Sequence, residues 1–384
     1  MDKKSSEKDP IDKDEESKSL IQKIYSIIRE NWLPLLCALI ISIITIIVVP
    51  IIYSIKPTPP PNNGTNLEWN VTGILYIDQY VIMNKASLAL GEISALSFDQ
   101  ESYLYIVDKT NHRILKIEGD QIRIIVGHPN GTNGTDMTSL NFPNDIYIDQ
   151  LNDIYIADTE NHRIQLWKKE SSQITTIFGK DGKGSGNNQL NRPMSVTMDN
   201  DVTIYIADYG NDRIVSFNIN NSQAYTYLTK QDNQERNQYV ITPISIAYDS
   251  KTQTIVIAQE LGYNVIRWNT SSTYWTLIAG SASSELSGTS RTLFNKLRHI
   301  YVDRFGHLYV TDCFNQRIQF FKYSPNELVK GRTIAGVILA IGNNPYIFNN
   351  PTAMTLDRSE NLYVADSLNY RVQSFEQQVK DISF

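Results

Sequence analysis

The sequence is poor in the residues that staple or metallate small domains. Its 384 residues include two cysteines, Cys37 and Cys313, so a disulfide framework is excluded. Histidine is also scarce, with five in the whole chain. Basic charge is not in excess: 35 lysines and arginines stand against 41 aspartates and glutamates, a net charge of −6. That balance argues against a broad electrostatic platform, and no nucleic-acid partner is expected. Beyond residue 55 no segment keeps a helical period over several turns. Charged residues make up 20% and apolar residues 41%, which suits neither a disordered chain nor a coiled coil.

One long apolar run is present. Residues 31–55 carry no charge, and Leu33 to Ile52 is almost continuously apolar. As a helix, about 20 such residues cross a hydrocarbon core of roughly 30 Å. Trp32 and Tyr53 stand at its edges, where amphipathic rings favour the headgroup level. Mostly polar residues precede the run and no small-x-small site closely follows it, so an uncleaved signal anchor is expected. Lys18, Lys23 and Arg29 precede it and Lys56 follows, which places the N-terminus in the cytosol. The expected organisation is a disordered cytosolic tail over 1–30, a transmembrane signal anchor over 31–55, a Pro/Asn-rich stalk over 56–69 and a folded domain over 70–384. This describes a single-pass membrane protein that touches the lipid bilayer through 31–55, with its folded domain extracellular or lumenal. Sequons at Asn63, Asn70, Asn130, Asn133, Asn220 and Asn269 all follow the run and are candidate glycosylation sites.

From about residue 90 the chain repeats. The clearest line runs from Tyr155 through Ile156, Ala157 and Asp158 to Asn161, His162, Arg163 and Ile164. Related lines carry Asp108, Asp208, Asp312 and Asp366, with Gln259 in a weaker copy, at intervals of 50, 50, 51, 53 and 54 residues. Each unit holds short runs rich in Ile, Val, Tyr and Thr, split by Asn, Asp and Gly, which read as strands and turns. A period near 50 with four strands per unit predicts an all-β, six-bladed β-propeller of four-stranded blades, preceded by a single transmembrane helix. The strand that closes the sixth blade comes either from Val379–Phe384 or from the N-terminal side, within Gly73–Ile82.

These motifs resemble the NHL-repeat family over roughly residues 90–377. The Asn-His-Arg-Ile signature stands intact at 111–114 and 161–164 and is varied at 211–214, 315–318 and 369–372. The resemblance implies a six-bladed propeller, a fold that serves protein-binding, RNA-binding and enzymatic modules. In the similar peptide-amidating lyases, several histidines converge on the channel to hold a metal. Here only His299 falls in the inner ring, and that site is not expected.

Within the repeat, Asp and Arg are five positions apart in five units, whereas Gln259 and Asn264 replace both in the fourth. Joint loss of both charges marks them as partners, because one buried charge alone is costly. Function is sought instead where the copies differ. Four residues before each first-strand Asp stand Ala95, Asp145, Ser195, Ser245, His299 and Ala353. One position earlier stand Ser94, Asn144, Met194, Ile244, Arg298 and Thr352. In a propeller these starts of inner strands ring the axis, so Asp145, Arg298 and His299 are the candidate ligand-binding residues of the channel mouth. No cofactor is predicted; calcium (Ca) is the metal that hard oxygen donors here would suit, through Asp145 and Asn144. The leading reading is a membrane-anchored extracytoplasmic recognition module that binds a protein, peptide or glycan. The alternative is a membrane-tethered propeller hydrolase or lyase using the same mouth.

Overall fold

The computed structural model describes residues 68–69, 73–78 and 88–378, apart from 120, 230–239, 273, 283–285 and 326–327. Six four-stranded antiparallel sheets follow one another as blades. Their inner strands are Ile93–Phe98, Asp145–Ile148, Pro193–Met198, Pro243–Asp249, Leu297–Val302 and Pro351–Leu356, in blades 1 to 6. The second strands, such as Leu104–Asp108, Ile154–Asp158 and Leu308–Asp312, are buried along their whole length. Fourth strands such as Gln121–Val126 and Gln223–Tyr227 have exposed positions. This gradient arises because a blade has neighbours on both faces near the axis and meets solvent at its rim.

The apolar core is divided among the blade junctions. Tyr105 and Val107 of blade 1 pack with Ile146, Ile156 and Trp167 of blade 2. Tyr155 and Ala157 of blade 2 pack with Val196, Ile206 and Val215 of blade 3. The ring closes through Ala353, Ala365 and Val372 of blade 6 against Ile93, Leu96 and Ile106 of blade 1.

The closing strand comes from the N-terminal side. Ile74–Asp78 pairs antiparallel with Arg371–Phe375, giving blade 6 its fourth strand. A second short pairing joins Glu68–Trp69 to Gln377–Gln378. Val379–Phe384, the other candidate, lies outside the described residues.

The repeat motif forms one buried network per blade. Arg113, Arg163, Arg213, Arg317 and Arg371 each place Nε 2.6 to 2.8 Å from Oδ2 of Asp108, Asp158, Asp208, Asp312 and Asp366 respectively. The other oxygen of each Asp accepts a backbone N–H from the incoming loop, as Asn141 donates to Asp158 at 2.7 Å. In blade 4, Gln259 Nε2 donates to Asn264 Oδ1 at 2.7 Å, and Gln259 Oε1 accepts from Ile241 N–H at 2.7 Å. The neutral pair therefore keeps the topology of the charged one. A three-residue turn after each Asp ends on a left-handed residue: His112 at φ 53°, His162 at 56°, Asp212 at 48°, Gln316 at 57°. Each of these four side chains accepts a backbone N–H from the loop entering the next blade, for example Phe142 N–H to His112 Nδ1 at 3.0 Å. In these four blades the variable second letter of the signature is thus a hydrogen-bond acceptor with a structural duty.

One part of the expected fold class is corrected. Among the described residues no helix is long and apolar enough to cross a membrane. Their strands run to at most seven residues, as in Pro243–Asp249, and the core of apolar side chains is packed between blades. Among the described residues the fold is a six-bladed propeller, and no membrane-crossing helix precedes it there. The bilayer contact and the single-pass placement drawn from that helix lose their support with it. The tail 1–30, the anchor 31–55 and the stalk up to residue 67 lie outside the described residues, as do Asn63 and Asn70. Asn130, Asn133, Asn220 and Asn269 are exposed.

Candidate functional site

Propeller geometry stacks two rings of side chains around the upper channel. The lower ring consists of the six equivalent positions on the inner strands. There the register pairs Asp145 with Ala157, Ser195 with Ala207, Ser245 with Ala258 and His299 with Thr311. Its side-chain hydrogen bonds join blade 2 to 3, blade 3 to 4 and blade 4 to 5. Asp145 Oδ2 accepts from Ser195 Oγ and, at 3.3 Å, from Val196 N–H. Ser195 Oγ accepts from Ile246 N–H at 3.0 Å, and Ser245 Oγ from Ile300 N–H at 3.2 Å.

Burial dominates the electrostatics of this ring. It raises the Asp145 carboxyl to about 7, against the opposing hydrogen bonds from Ser195, Val196 and Ile146. Burial also lowers His299 to about 4, so its imidazole is neutral at pH 7. His299 is half-buried, and its Nδ1 is buried and has no hydrogen-bond partner.

The upper ring is formed by the residue that follows each repeat Asp or Gln259: Lys109, Thr159, Tyr209, Glu260, Cys313 and Ser367. All six reach the following blade. Lys109 Nζ donates to Asn144 Oδ1 at 2.9 Å, and Thr159 Oγ1 donates to the Pro193 carbonyl at 2.8 Å. The Tyr209 hydroxyl donates to Glu260 Oε2 at 2.9 Å, and Glu260 Oε1 faces Arg298 Nη1 at 3.4 Å. Cys313 Sγ donates to Asn350 Oδ1 at 2.9 Å, and Ser367 Oγ accepts from Ile93 N–H at 3.1 Å. Lys109 is the least balanced member. Desolvation first, then repulsion from Arg298, lower it to about 8; Glu92 and Glu160 oppose this, and Arg192 adds to it.

The three residues singled out from sequence divide between these rings. Asp145 and His299 occupy equivalent places in blades 2 and 5, on opposite sides of the axis, and no hydrogen bond joins them. Arg298, at the start of the blade 5 inner strand, turns to the upper ring through Glu260. Sequence reasoning missed Lys109, Tyr209 and Glu260. Their signal was available, since the position after the repeat Asp differs in all six copies, but variation along the chain points first to the starts of the inner strands.

Asn144 and Asp145 do not fit a calcium ion. The Asn144 oxygen is occupied by the Lys109 ammonium, and the Asp145 carboxylate faces a hydroxyl and two amide donors. Among the described residues no group of three or more His, Cys, Asp or Glu is arranged to hold a metal.

A family model described as NHL repeat matches residues 140–166, from the loop entering blade 2 through its third strand. The chain has an NHL-repeat-associated six-bladed β-propeller fold. No curated protein matches its sequence. Among solved structures it is similar to an auxiliary nutrient binding protein from Bacteroides thetaiotaomicron, with TM-score 0.56 and 14% identity over 75% of this chain and 69% of that one. It is also similar to a gluconolactonase from Xanthomonas campestris, with TM-score 0.56 and 13% identity over 84% and 99%. A third is described as a streptogramin B lyase, with TM-score 0.50 and 10% identity over 76% and 94%. At these identities the likeness establishes the fold alone. The reading as a membrane-anchored recognition module is corrected, because the described residues supply no anchor.

Proposed function

We propose that this protein is a propeller hydrolase or lyase whose site is the mouth of the central channel. Similarity in fold to a gluconolactonase and to a streptogramin B lyase supports this class over a bare scaffold. The observation that carries the reading is Lys109: an ammonium drawn into the mouth, held on Asn144 Oδ1 and lowered to about 8 by burial and by Arg298. Perturbed groups gathered at an opening mark functional sites.

In this reading the Lys109 ammonium stabilises negative charge. It faces the oxygen that turns anionic when a carbonyl is attacked by water, or when a proton leaves the carbon beside it. Fixed by Glu260 and Tyr209, Arg298 orients the substrate from the far side. His299 supplies a neutral imidazole to the channel floor, and Asp145 holds that floor through Ser195.

The test is a pH-stat screen of the full chain against lactones, esters and carbonyl compounds bearing a leaving group. Lys109→Met should lower turnover by about 100-fold or more, the scale of losing one oxyanion donor. No turnover across the panel, or equal turnover by the variant, defeats the reading.

A further inference from the structure

Three cations meet at the channel mouth, and one of them, Lys109, has no carboxylate in direct ion-pair contact. Arg192 Nε lies 2.9 Å from Glu160 Oε1, and Arg298 Nη1 lies 3.4 Å from Glu260 Oε1. Among the described residues no carboxylate lies within ion-pair distance of Lys109 Nζ, whose hydrogen bond goes to the neutral Asn144 amide at 2.9 Å. The other upper-ring positions close their junctions with hydrogen bonds, Tyr209 to the Glu260 carboxylate among them, or with the Glu260–Arg298 pair. A charge drawn out of water without a partner is costly, and a fold that retains one leaves it available to a ligand.

The surroundings are built rather than incidental. Lys109 borders an open cleft of about 490 Å³ lined also by Asn141, Phe142, Thr159, Glu160 and Arg192. Asn144 is fixed by donating its Nδ2 to the Met194 carbonyl at 2.8 Å, which aims its oxygen at the ammonium. Phe142 is held with φ at 47°, its N–H on His112 Nδ1 and its ring edge-on to that imidazole at 4.6 Å. The cleft therefore combines an ammonium without a direct carboxylate partner, a guanidinium held by Glu160 and a braced aromatic ring.

We infer that this cleft binds a small organic oxyanion, a carboxylate or a phosphate, with its oxygens on Lys109 and Arg192 and its carbon face on Phe142. The inference rests on the proposed function only in naming the substrate class, since binding itself requires no turnover. It assigns the substrate, or the product of hydrolysis, an anionic group.

The experiment titrates the full chain with inorganic phosphate and separately with gluconate, by calorimetry and by melting temperature. Saturable binding of either probe is expected, gluconate alone indicating a carboxylate ligand and phosphate alone a phosphate ester. Lys109→Met should weaken that binding at least 10-fold. Its ligand-free melting temperature should equal or exceed that of the parent, because a desolvated ammonium with no ion-pair partner has been removed. Arg192→Gln should weaken binding by a smaller factor. Binding unaffected by Lys109→Met, no saturable binding of either anion, or a lower ligand-free melting temperature for Lys109→Met would overturn the inference. The last result would make Lys109 a structural tie to Asn144. Anion binding without turnover sinks the enzyme reading and leaves this site standing; turnover without anion binding does the reverse.

Discussion

Asp145 and Ser195 stand at the same position of successive inner strands, fifty residues apart, and the Ser195 hydroxyl donates to the Asp145 carboxylate across the junction of blades 2 and 3. Asp145 is thus a member of the ring that holds the channel together, with a carboxyl raised to about 7 by burial.

This shift fixes a pH dependence. With a folded value near 7 against 3.8 for the free group, the folded state binds more protons between pH 4 and 7. The stability this contributes is complete below about 4 and is lost as pH rises through about 7. Asp145→Asn removes the ionisation and keeps an acceptor for Ser195. Relative to the parent it should therefore gain stability between pH 5 and pH 8, by about 2–3 kcal/mol. Urea titrations of parent and variant at pH 5 and pH 8 check this; an equal difference at both pH values would refute the assignment.

Lys109 sets a second dependence with the opposite chemistry. Its ammonium is the active form, and Arg298, Arg192, Glu92 and Glu160 are the charges that act on it. Activity should fall as pH rises through about 8, and Lys109→Arg should move that limb to higher pH. A pH–rate profile of kcat/KM with any substrate from the screen reads this out.

The Asp–Arg pairs make a separate prediction about stability. Arg317 is fully buried against Asp312, so Arg317→Leu leaves a carboxylate without its partner and should cost about 3–5 kcal/mol. Replacing the pair together, Asp312→Gln with Arg317→Asn, copies blade 4 and should recover at least half of the loss. A double-mutant cycle in urea decides it, and additive losses would contradict the partnership.

Ring closure depends on a strand of five residues, Ile74–Asp78, in which Ile77 is buried against blade 6. Ile77→Ala should cost about 2–4 kcal/mol, as large-to-small changes in a core do. Deleting 73–78 should lower the melting temperature far more. A melting temperature unchanged by the deletion would show that the ring closes elsewhere.

Much of this was legible along the chain. The 50-residue period and the alternation of Ile, Val and Tyr with turn residues determine the blades, because each sheet hides both faces only against copies of itself. The partnership of Asp with Arg could be read from Gln259 and Asn264 alone, since a buried pair loses both charges or neither. Tertiary structure decided the rest. The apolar run 31–55 had led to an anchor that no described helix supplies. Whether Ile74–Asp78 or the C-terminal end closes blade 6 depends on which backbone meets the free edge of Arg371–Phe375. That Lys109 lies over Asn144, with Arg298 near enough to perturb it, follows from curvature that brings blades 1, 2 and 5 to one opening. A linear pattern records which residues repeat; the residues that differ acquire neighbours only when the ring is closed.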